Sequence, residues 1–223
     1  MEASISLPAE PRYRVAETSI LDAAVTVFAA EGFDRTTMEA IAARAGTTKP
    51  TLYARFGSKE ELFAAAVKRE YRLRKERLFQ AYDSDHEQPF RARLARWNAA
   101  YFDLVRERPD GFKLISEGER HQAAAAIIER AGREIIDRIE ELVIRVSGRQ
   151  GRAGARLIAS MIAGMLTSCA REAIARQNNL DQAAALCESF LYAALRGLDP
   201  HLIDAVSQAG QQGDHQPRAL PSR

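Results

Sequence analysis

Apolar residues recur every three or four positions along most of this chain, a spacing that places side chains on one face of an α-helix. The pattern predicts four helices near the N-terminus, over about 14–31, 36–45, 48–57 and 58–82. No sustained alternation of apolar and polar residues indicates a strand. We therefore expect an all-α fold.

Capping residues mark where the later helices of this group begin. Thr36 with Glu39, and Ser58 with Glu61, have the spacing of a capping box, in which each side chain pairs with a free backbone N–H of the first turn. Pro50 lies in the first turn of the third helix, where its missing N–H costs nothing. These signals fix the predicted helix starts more closely than periodicity does.

Longer amphipathic segments follow the first four helices. They lie at about 89–107, 110–118, 121–146, 153–177 and 181–196. The end of the chain is rich in Gly, Gln and Pro and has no apolar face, which indicates a disordered tail.

Composition and charge exclude several classes of protein but do not indicate a function. The 223 residues are 46% hydrophobic, enough for a buried core, and the net charge of +2 gives no global argument for a nucleic-acid partner. Two cysteines without motif spacing exclude a disulfide framework and a cysteine zinc site. The longest uncharged run, 157–170, is shorter than the roughly twenty residues of a membrane span, and residues 1–11 lack signal-peptide features. We expect a soluble cytoplasmic protein without a membrane partner.

Three short helices within about fifty residues, the last two joined by a tight turn at Ala45–Gly46, predict a helix-turn-helix. The second helix of such a pair enters the major groove of DNA. Leu52 and Phe56 are expected to point inward. Residues 44–59 contain four basic residues and no acidic one, a local excess that suits a phosphate backbone.

Several motifs are strung along the same region. They are Ile-Leu-Asp-Ala-Ala at 20–24, Phe-Ala-Ala-Glu-Gly-Phe at 28–33, Thr-Met-Glu-Ala-Ile-Ala at 37–42, Thr-Leu-Tyr at 51–53 and Phe-Gly-Ser-Lys-Glu at 56–60. Over about residues 14–70 the chain resembles the N-terminal domain of TetR-family transcriptional regulators. The resemblance implies an all-helical homodimer with a ligand cavity in each C-terminal domain, released from a palindromic double-stranded DNA operator by a small molecule.

The resemblance also implies which residues contact DNA. Thr36 or Thr37 would cap the second helix on a phosphate, while Tyr53 and Lys59 would each contact a phosphate. Arg55 stands where many family members have histidine, so its target stays open. The predicted DNA-binding residues are Thr36, Thr37, Arg44, Thr47, Thr48, Lys49, Pro50, Thr51, Tyr53, Arg55 and Lys59.

The domain organisation follows from these features. We expect a flexible tail at 1–12, a helix-turn-helix DNA-binding domain at 13–60, a helical ligand-binding and dimerisation domain at 61–207 and a disordered tail at 208–223. Between Lys68 and Arg77 there are six basic and two acidic residues, interpreted as a solvated helix face or, alternatively, an extra DNA-facing edge.

Two sets of residues in the C-terminal domain are candidates for function, each with ordinary core packing as the alternative. The candidate cavity lining consists of Trp97, Tyr101, Phe102, Phe112, Met161 and Met165. Small residues recur every four positions in helix 153–177, which allows close approach of another helix. The candidate dimer interface consists of Ser160, Gly164, Thr167, Ser168, Cys187, Phe190, Leu191 and Ala194.

The function predicted from these residues is a ligand-responsive, DNA-binding transcriptional regulator acting as a repressor. One alternative is an activator of the same fold. Another is a helical enzyme with Glu117 and His121 as its acid–base or metal pair, which no phosphate loop, zinc spacing or nucleophile motif accompanies. We expect no catalysis, cofactor or metal.

Overall fold

A computed structural model describes residues 16–83, 87–147, 152–177, 179–199 and 201. All regular elements in these ranges are helical, which confirms the predicted fold class. They are α1 (Glu17–Glu31), α2 (Met38–Arg44), α3 (Lys49–Phe56), α4 (Lys59–Asp83), α5 (Phe90–Glu107), α6 (Pro109–Gly118), α7 (Gln122–Ser147), α8 (Arg152–Ala175) and α9 (Leu180–Arg196). The predicted tails, 1–12 and 208–223, lie outside the described residues.

A small apolar core holds α1, α2 and α3 together. Phe28, Ile41 and Leu52, one from each helix, are fully buried. Leu52 thus points inward as predicted, and Phe56 packs against the same core. Gly46 ends the α2–α3 turn with a φ of +65°, a left-handed conformation that glycine adopts without strain. This turn sets the position of α3 on the core.

The predicted starts of α3 and α4 agree with the structure, and that of α2 does not. Of the predicted capping box at Ser58 and Glu61 the Ser58 half is present, whereas the Ser58 N–H donates to the Phe56 carbonyl at 2.9 Å. Thr48 caps α3, and the Ser58 hydroxyl accepts a hydrogen bond from the Glu61 backbone N–H at 3.1 Å. The prediction that Thr36 and Glu39 form a capping box is wrong. Thr37 is the N-cap of α2, with its hydroxyl accepting from the Ala40 N–H at 3.1 Å. A two-threonine run offers two registers, and helix packing selects the second.

The long helix α4 connects the N-terminal helices to the rest of the molecule. It packs against α1 and α3 of the N-terminal region and against α5, α6 and α7 of the rest of the molecule. Its buried residues begin at Leu62 and Phe63 and continue to Leu78 and Tyr82. The predicted domain boundary between residues 60 and 61 falls in its first turn, so the two parts share one continuous helix.

Helices α5, α7, α8 and α9 pack around the distal part of the molecule. Within α8, the segment Gly154–Ala175 is long and apolar enough, by length and composition, to cross a membrane, with a mean hydropathy of 1.3 in its most apolar window. This segment includes Arg156 and Arg171, the charged residues that bound the uncharged run 157–170. One side of α8 nevertheless packs on α7 and α9.

Candidate DNA-binding surface and effector cavity

The outer surface of α3 carries hydroxyl groups at both ends. The Thr48 hydroxyl accepts from the Thr51 backbone N–H at 3.4 Å and shares a 2.9 Å hydrogen bond with the Thr51 hydroxyl. Tyr53 is 44% exposed, so its ring is not part of the core. These groups are free to meet phosphate oxygens at the surface, beside the N-terminal end of α3 and its positive dipole.

Other predicted DNA-binding residues surround this helix. Arg44, Thr37 and Pro50 are exposed, while Thr47 and Arg55 are half-buried. Arg44 lies in the last turn of α2, and no carboxylate of the described residues pairs with it within 4.0 Å. The surface therefore combines exposed hydroxyls with a cation that no neighbouring acid neutralises.

Lys49 is paired with an acid that the sequence window did not contain. Its Nζ donates to a carboxylate oxygen of Glu39, which lies in the first turn of α2. This hydrogen bond lowers the pKa of Glu39 and raises that of Lys49, so both groups stay charged. The ammonium also lies 5.8 Å from the centre of the Tyr53 ring. The positive charge of Lys49 is thus largely balanced within the protein.

One of the predicted DNA contacts is wrong, and a second residue has partners within the protein. Thr36 is only 2% exposed, and its hydroxyl donates to the Gly32 carbonyl at 2.7 Å, so it does not reach a phosphate. Lys59 is half-buried, and its ammonium has partners within the protein. It donates to the carbonyls of Phe33 and Thr36, each at 3.0 Å, and lies 4.4 Å from the centre of the Phe33 ring. Lys59 holds the α1–α2 turn against the start of α4.

A cavity of about 510 Å³ lies between α4, α5, α7 and α8, within the range of ordinary ligand pockets. Most of its wall is apolar, with Leu78, Ile135, Ile139 and Leu166 among the lining residues. Residues with polar groups also border it. They are Tyr71, Tyr82 and Tyr101, the arginines Arg74, Arg133 and Arg171, the acids Glu119 and Glu129, and Ser160, Thr167 and Ser168.

Only Tyr101 of the six predicted lining residues borders this cavity. Its hydroxyl donates to the Thr167 hydroxyl at 3.3 Å. Phe102 and Phe112 are buried core residues, and Met161 is 68% exposed on the outside of α8. Trp97 packs edge-on against Tyr82, with ring centres 5.7 Å apart, and Met165 packs against the core. The aromatic residues that marked the region in the sequence fill the core beside the cavity.

The predicted dimer residues divide into two groups. Ser160, Gly164, Ser168, Phe190 and Ala194 are exposed. Cys187 and Leu191, in contrast, are 3% and 5% exposed, so their assignment to the interface is wrong. Burial also raises the pKa of the Cys187 thiol to about 12, which leaves it protonated. Thr167 is half-buried and faces Tyr101.

The exposed apolar side chains of α8 and α9 define a surface that the sequence did not fully identify. It consists of Leu157 and Met161 on α8 with Leu186 and Phe190 on α9, which are 49% to 69% exposed. We call these four residues the α8–α9 face. Large apolar side chains that are exposed on two packed helices suit an interaction surface.

Glu117 and His121 are the acid–base or metal pair of the enzyme alternative. The His121 ring packs against Phe33 and Phe63, with ring centres 4.2 and 5.3 Å away. Among the described residues, no group of three or more His, Cys, Asp and Glu side chains has a metal-binding arrangement. His121 joins the α6–α7 turn to the N-terminal domain.

Comparison with known proteins identifies the family. A family model described as bacterial regulatory proteins of the tetR family matches residues 20–66. The HTH-type transcriptional activator FasR of Mycolicibacterium smegmatis is 30% identical over 171 residues, which are 75% of this chain and 76% of FasR. The chain belongs to the tetR family. The resemblance that the sequence motifs indicated is confirmed, and with it a DNA-binding transcriptional regulator.

Solved structures of tetR-family regulators share the fold over most of the chain. A TetR-like regulator from Rhodococcus sp. RHA1 has a TM-score of 0.69 and 29% identity, covering 85% of this chain and all of that one. The regulator FadR from Bacillus subtilis, solved in complex with stearoyl-CoA, has a TM-score of 0.69 and 20% identity. It covers 82% of this chain and all of its own. At that identity the second comparison establishes the fold alone.

In this tetR-family chain, buried ion pairs join the N-terminal domain to the cavity. Glu70 of α4 is 3% exposed and accepts two hydrogen bonds from Arg108, at 2.7 and 2.8 Å. Arg69 donates to Glu70 at 3.1 Å, to Asp22 of α1 at 2.6 Å and to the carbonyl of Thr18 at 2.9 Å. These hydrogen bonds and ion pairs connect α1, α4 and the α5–α6 junction, one helical turn from the cavity.

Proposed function

We propose that this protein is a repressor that binds a palindromic operator as a homodimer and is released by a small molecule in its cavity. The observation that carries the proposal is the position of α4. It packs against α3 and, through Tyr71 and Leu78, forms one wall of the cavity. A ligand that moves α4 therefore changes the position of α3 relative to DNA.

The proposed DNA contacts are those whose side chains are accessible. Hydroxyls and a cation at the ends of α2 and α3 would hold the backbone, while the outer side of α3 lies in the major groove. The residues proposed are Thr37, Arg44, Thr47, Thr48, Lys49, Pro50, Thr51, Tyr53 and Arg55.

The α8–α9 face is the proposed dimer interface. Leu157, Met161, Leu186 and Phe190 are costly to leave in water, and the two-fold axis of a homodimer brings the same patch of each subunit together. The small residues Gly164 and Ser168 of α8 are exposed as well as bordering the cavity, and their size would allow another helix to approach. This assignment also accounts for the apolar surface of α8 within a cytoplasmic protein.

An effector with a long apolar part agrees with the lining of the cavity and with the ligand of one solved structure of the same fold. Leu, Ile and Tyr side chains form much of the wall, and they bury hydrocarbon favourably. FadR of Bacillus subtilis shares the fold and was solved with stearoyl-CoA. We propose a fatty-acyl compound as the effector class.

An activator of the same fold is the second candidate, because FasR, 30% identical over three quarters of the chain, is named as an activator. Transcription in vitro from the protein's own upstream region separates the two. A repressor lowers transcript yield and an activator raises it, each reversed by the effector.

Gel retardation with DNA upstream of the protein's own gene tests the proposal. We expect a specific complex that disappears when Tyr53→Phe is combined with Arg44→Gln and persists in Arg130→Gln, an 82% exposed control on α7. Retardation equal to that of random DNA in all three proteins would refute it.

A further inference from the structure

Arg74 is a buried cation without a counter-ion. It lies in the middle of α4, is 8% exposed and lines the cavity. It makes no hydrogen bond or ion pair with any residue that the structure describes, and its buried Nε has no partner. An arginine so far removed from water is ordinarily matched by a carboxylate, because an unpaired buried charge is strongly unfavourable.

The surroundings of Arg74 supply aromatic faces instead of charge. Its guanidinium lies 5.4 Å from the centre of the Phe112 ring and 5.7 and 5.8 Å from those of Tyr71 and Tyr101. Burial raises the pKa of both tyrosines, so neither becomes a phenolate that could neutralise the arginine. Cation–π contacts offset part of the desolvation but leave the hydrogen-bond donors unused.

The nearest acid on the same helix is already occupied. Glu70, one turn earlier, has its carboxylate taken by Arg69 and Arg108. At the cavity edge, Glu129 pairs with Arg133 at 3.0 Å. Glu119 also borders the cavity, but it forms no ion pair with Arg74. The described residues therefore leave a cation at the cavity wall without a bonded acid.

We propose that the effector carries an oxyanion, a carboxylate or a phosphate, which binds the Arg74 guanidinium inside the cavity. The apolar body of the molecule then lies against Leu78, Ile135 and Leu166, and the anion completes the missing ion pair. This inference rests on the proposed effector site and adds the chemical class of the group that the site recognises. It also places the ligand's charge one helical turn from Glu70, at the centre of the ion pairs that reach α1.

Two fluorescent probes of the same shape test the inference. 8-Anilino-1-naphthalenesulfonate and N-phenyl-1-naphthylamine share their ring system, and only the first carries an anionic group. We expect the wild-type protein to bind the sulfonate at least about tenfold more tightly, the effect of a buried charge-assisted hydrogen bond. Arg74→Gln should remove that preference while binding of the neutral probe is unchanged, and Arg74→Lys should restore part of it.

Arg133→Gln is the matched control, because it removes a cation from the exposed edge of the same cavity and should change the ratio less than about threefold. An equal preference in wild type and Arg74→Gln overturns the inference, as does failure of the wild type to bind the sulfonate. Loss of selectivity with unchanged neutral-probe binding also excludes a merely structural role for Arg74.

Competition identifies the source of the oxyanion. Displacement of the sulfonate by palmitate supports a free carboxylate, and displacement by palmitoyl-CoA alone supports a phosphate. Displacement by 1-hexadecanol as effective as that by palmitate overturns the inference. If none of the three competes while the probe preference depends on Arg74, the oxyanion site stands and the fatty-acyl part of the proposed function fails.

Discussion

The DNA-binding surface and the cavity differ in how far along the chain their residues come from. Residues from Thr37 to Arg55 supply the whole proposed surface, whereas the cavity is lined by residues from Tyr71 to Arg171. In the first, caps and a tight turn place each side chain through contacts three or four residues away. In the second, position depends on how long helices pack, which no local pattern encodes.

This difference explains what could be predicted from the sequence. The helix start at Thr48, Leu52 as a core residue and Gly46 in the turn follow from local rules, and the structure confirms all three. The family motifs lie in the same region. The fold class and the DNA-binding function were therefore accessible from residues 14–70 alone.

The cavity could not be predicted in the same way. Large aromatic residues such as Trp97 and Phe102 are equally suited to a core and to a cavity wall, and packing decided for the core. The buried arginines of this region lie in the basic run at 68–77, which the sequence led us to interpret as a solvated helix face. Arg69 and Arg74 in that run are buried, because α1 packs over Arg69 and α5 and α6 pack over Arg74.

Even the local region contains two contacts that a sequence window misses. Glu39 reaches Lys49 across the α2–α3 turn, and Lys59 reaches the carbonyls that end the α1–α2 segment. Both involve long flexible side chains whose partners are set by the tertiary fold. The predictions below test how far the two regions depend on such contacts, from the largest expected effect to the smallest.

The ion pairs between the two regions should show the largest effect. Glu70→Gln keeps the shape of the side chain but leaves the buried Arg69 and the half-buried Arg108 without their shared anion. We expect the free energy of unfolding to fall by about 3 kcal/mol, measured by urea denaturation at one protein concentration. The control Glu76→Gln loses only an exposed 4.0 Å pair with Arg72 and should change little. A loss equal to that of the control would mean that the two regions are stabilised independently.

The α8–α9 face should show the next largest effect. Phe190→Glu places a charge on a side chain that is 63% exposed, so the subunit should fold normally while the dimer dissociates. Operator affinity should fall by about a hundredfold, because each monomer loses half of the phosphate contacts. Sedimentation velocity gives the oligomeric state and circular dichroism the helix content. Ala126→Glu, at an exposed position of α7, should remain dimeric, and a dimeric Phe190→Glu would move the interface elsewhere.

Substitution of Lys59 distinguishes a structural role of this residue from a contact with DNA. Lys59→Met should lower the free energy of unfolding by about 1 kcal/mol, because the carbonyls of Phe33 and Thr36 lose a charged donor. The slope of log affinity against log salt should not change, since the ammonium does not face DNA. The comparison is Lys68→Met, exposed on the same helix, whose stability should stay within about 0.5 kcal/mol of wild type. A slope that falls by about 0.9 would instead place Lys59 on a phosphate.

The pair of Glu39 and Lys49 should show the smallest effect, and one in the opposite direction. Glu39 holds the Lys49 ammonium by a hydrogen bond at the surface that meets DNA, so phosphates must compete with a carboxylate for it. Glu39→Gln removes the competitor, and we expect DNA affinity to rise about threefold with a salt slope steeper by up to 0.9, one more phosphate contact. Glu107→Gln makes the same change in net charge on α5, where it loses only a 3.9 Å pair with Arg77. Because long-range attraction depends on net charge, this control separates general charge from the local contact. Equal gains in both variants would show that Lys49 stays with its neighbour on DNA, and that the local basic excess acts only through the overall field.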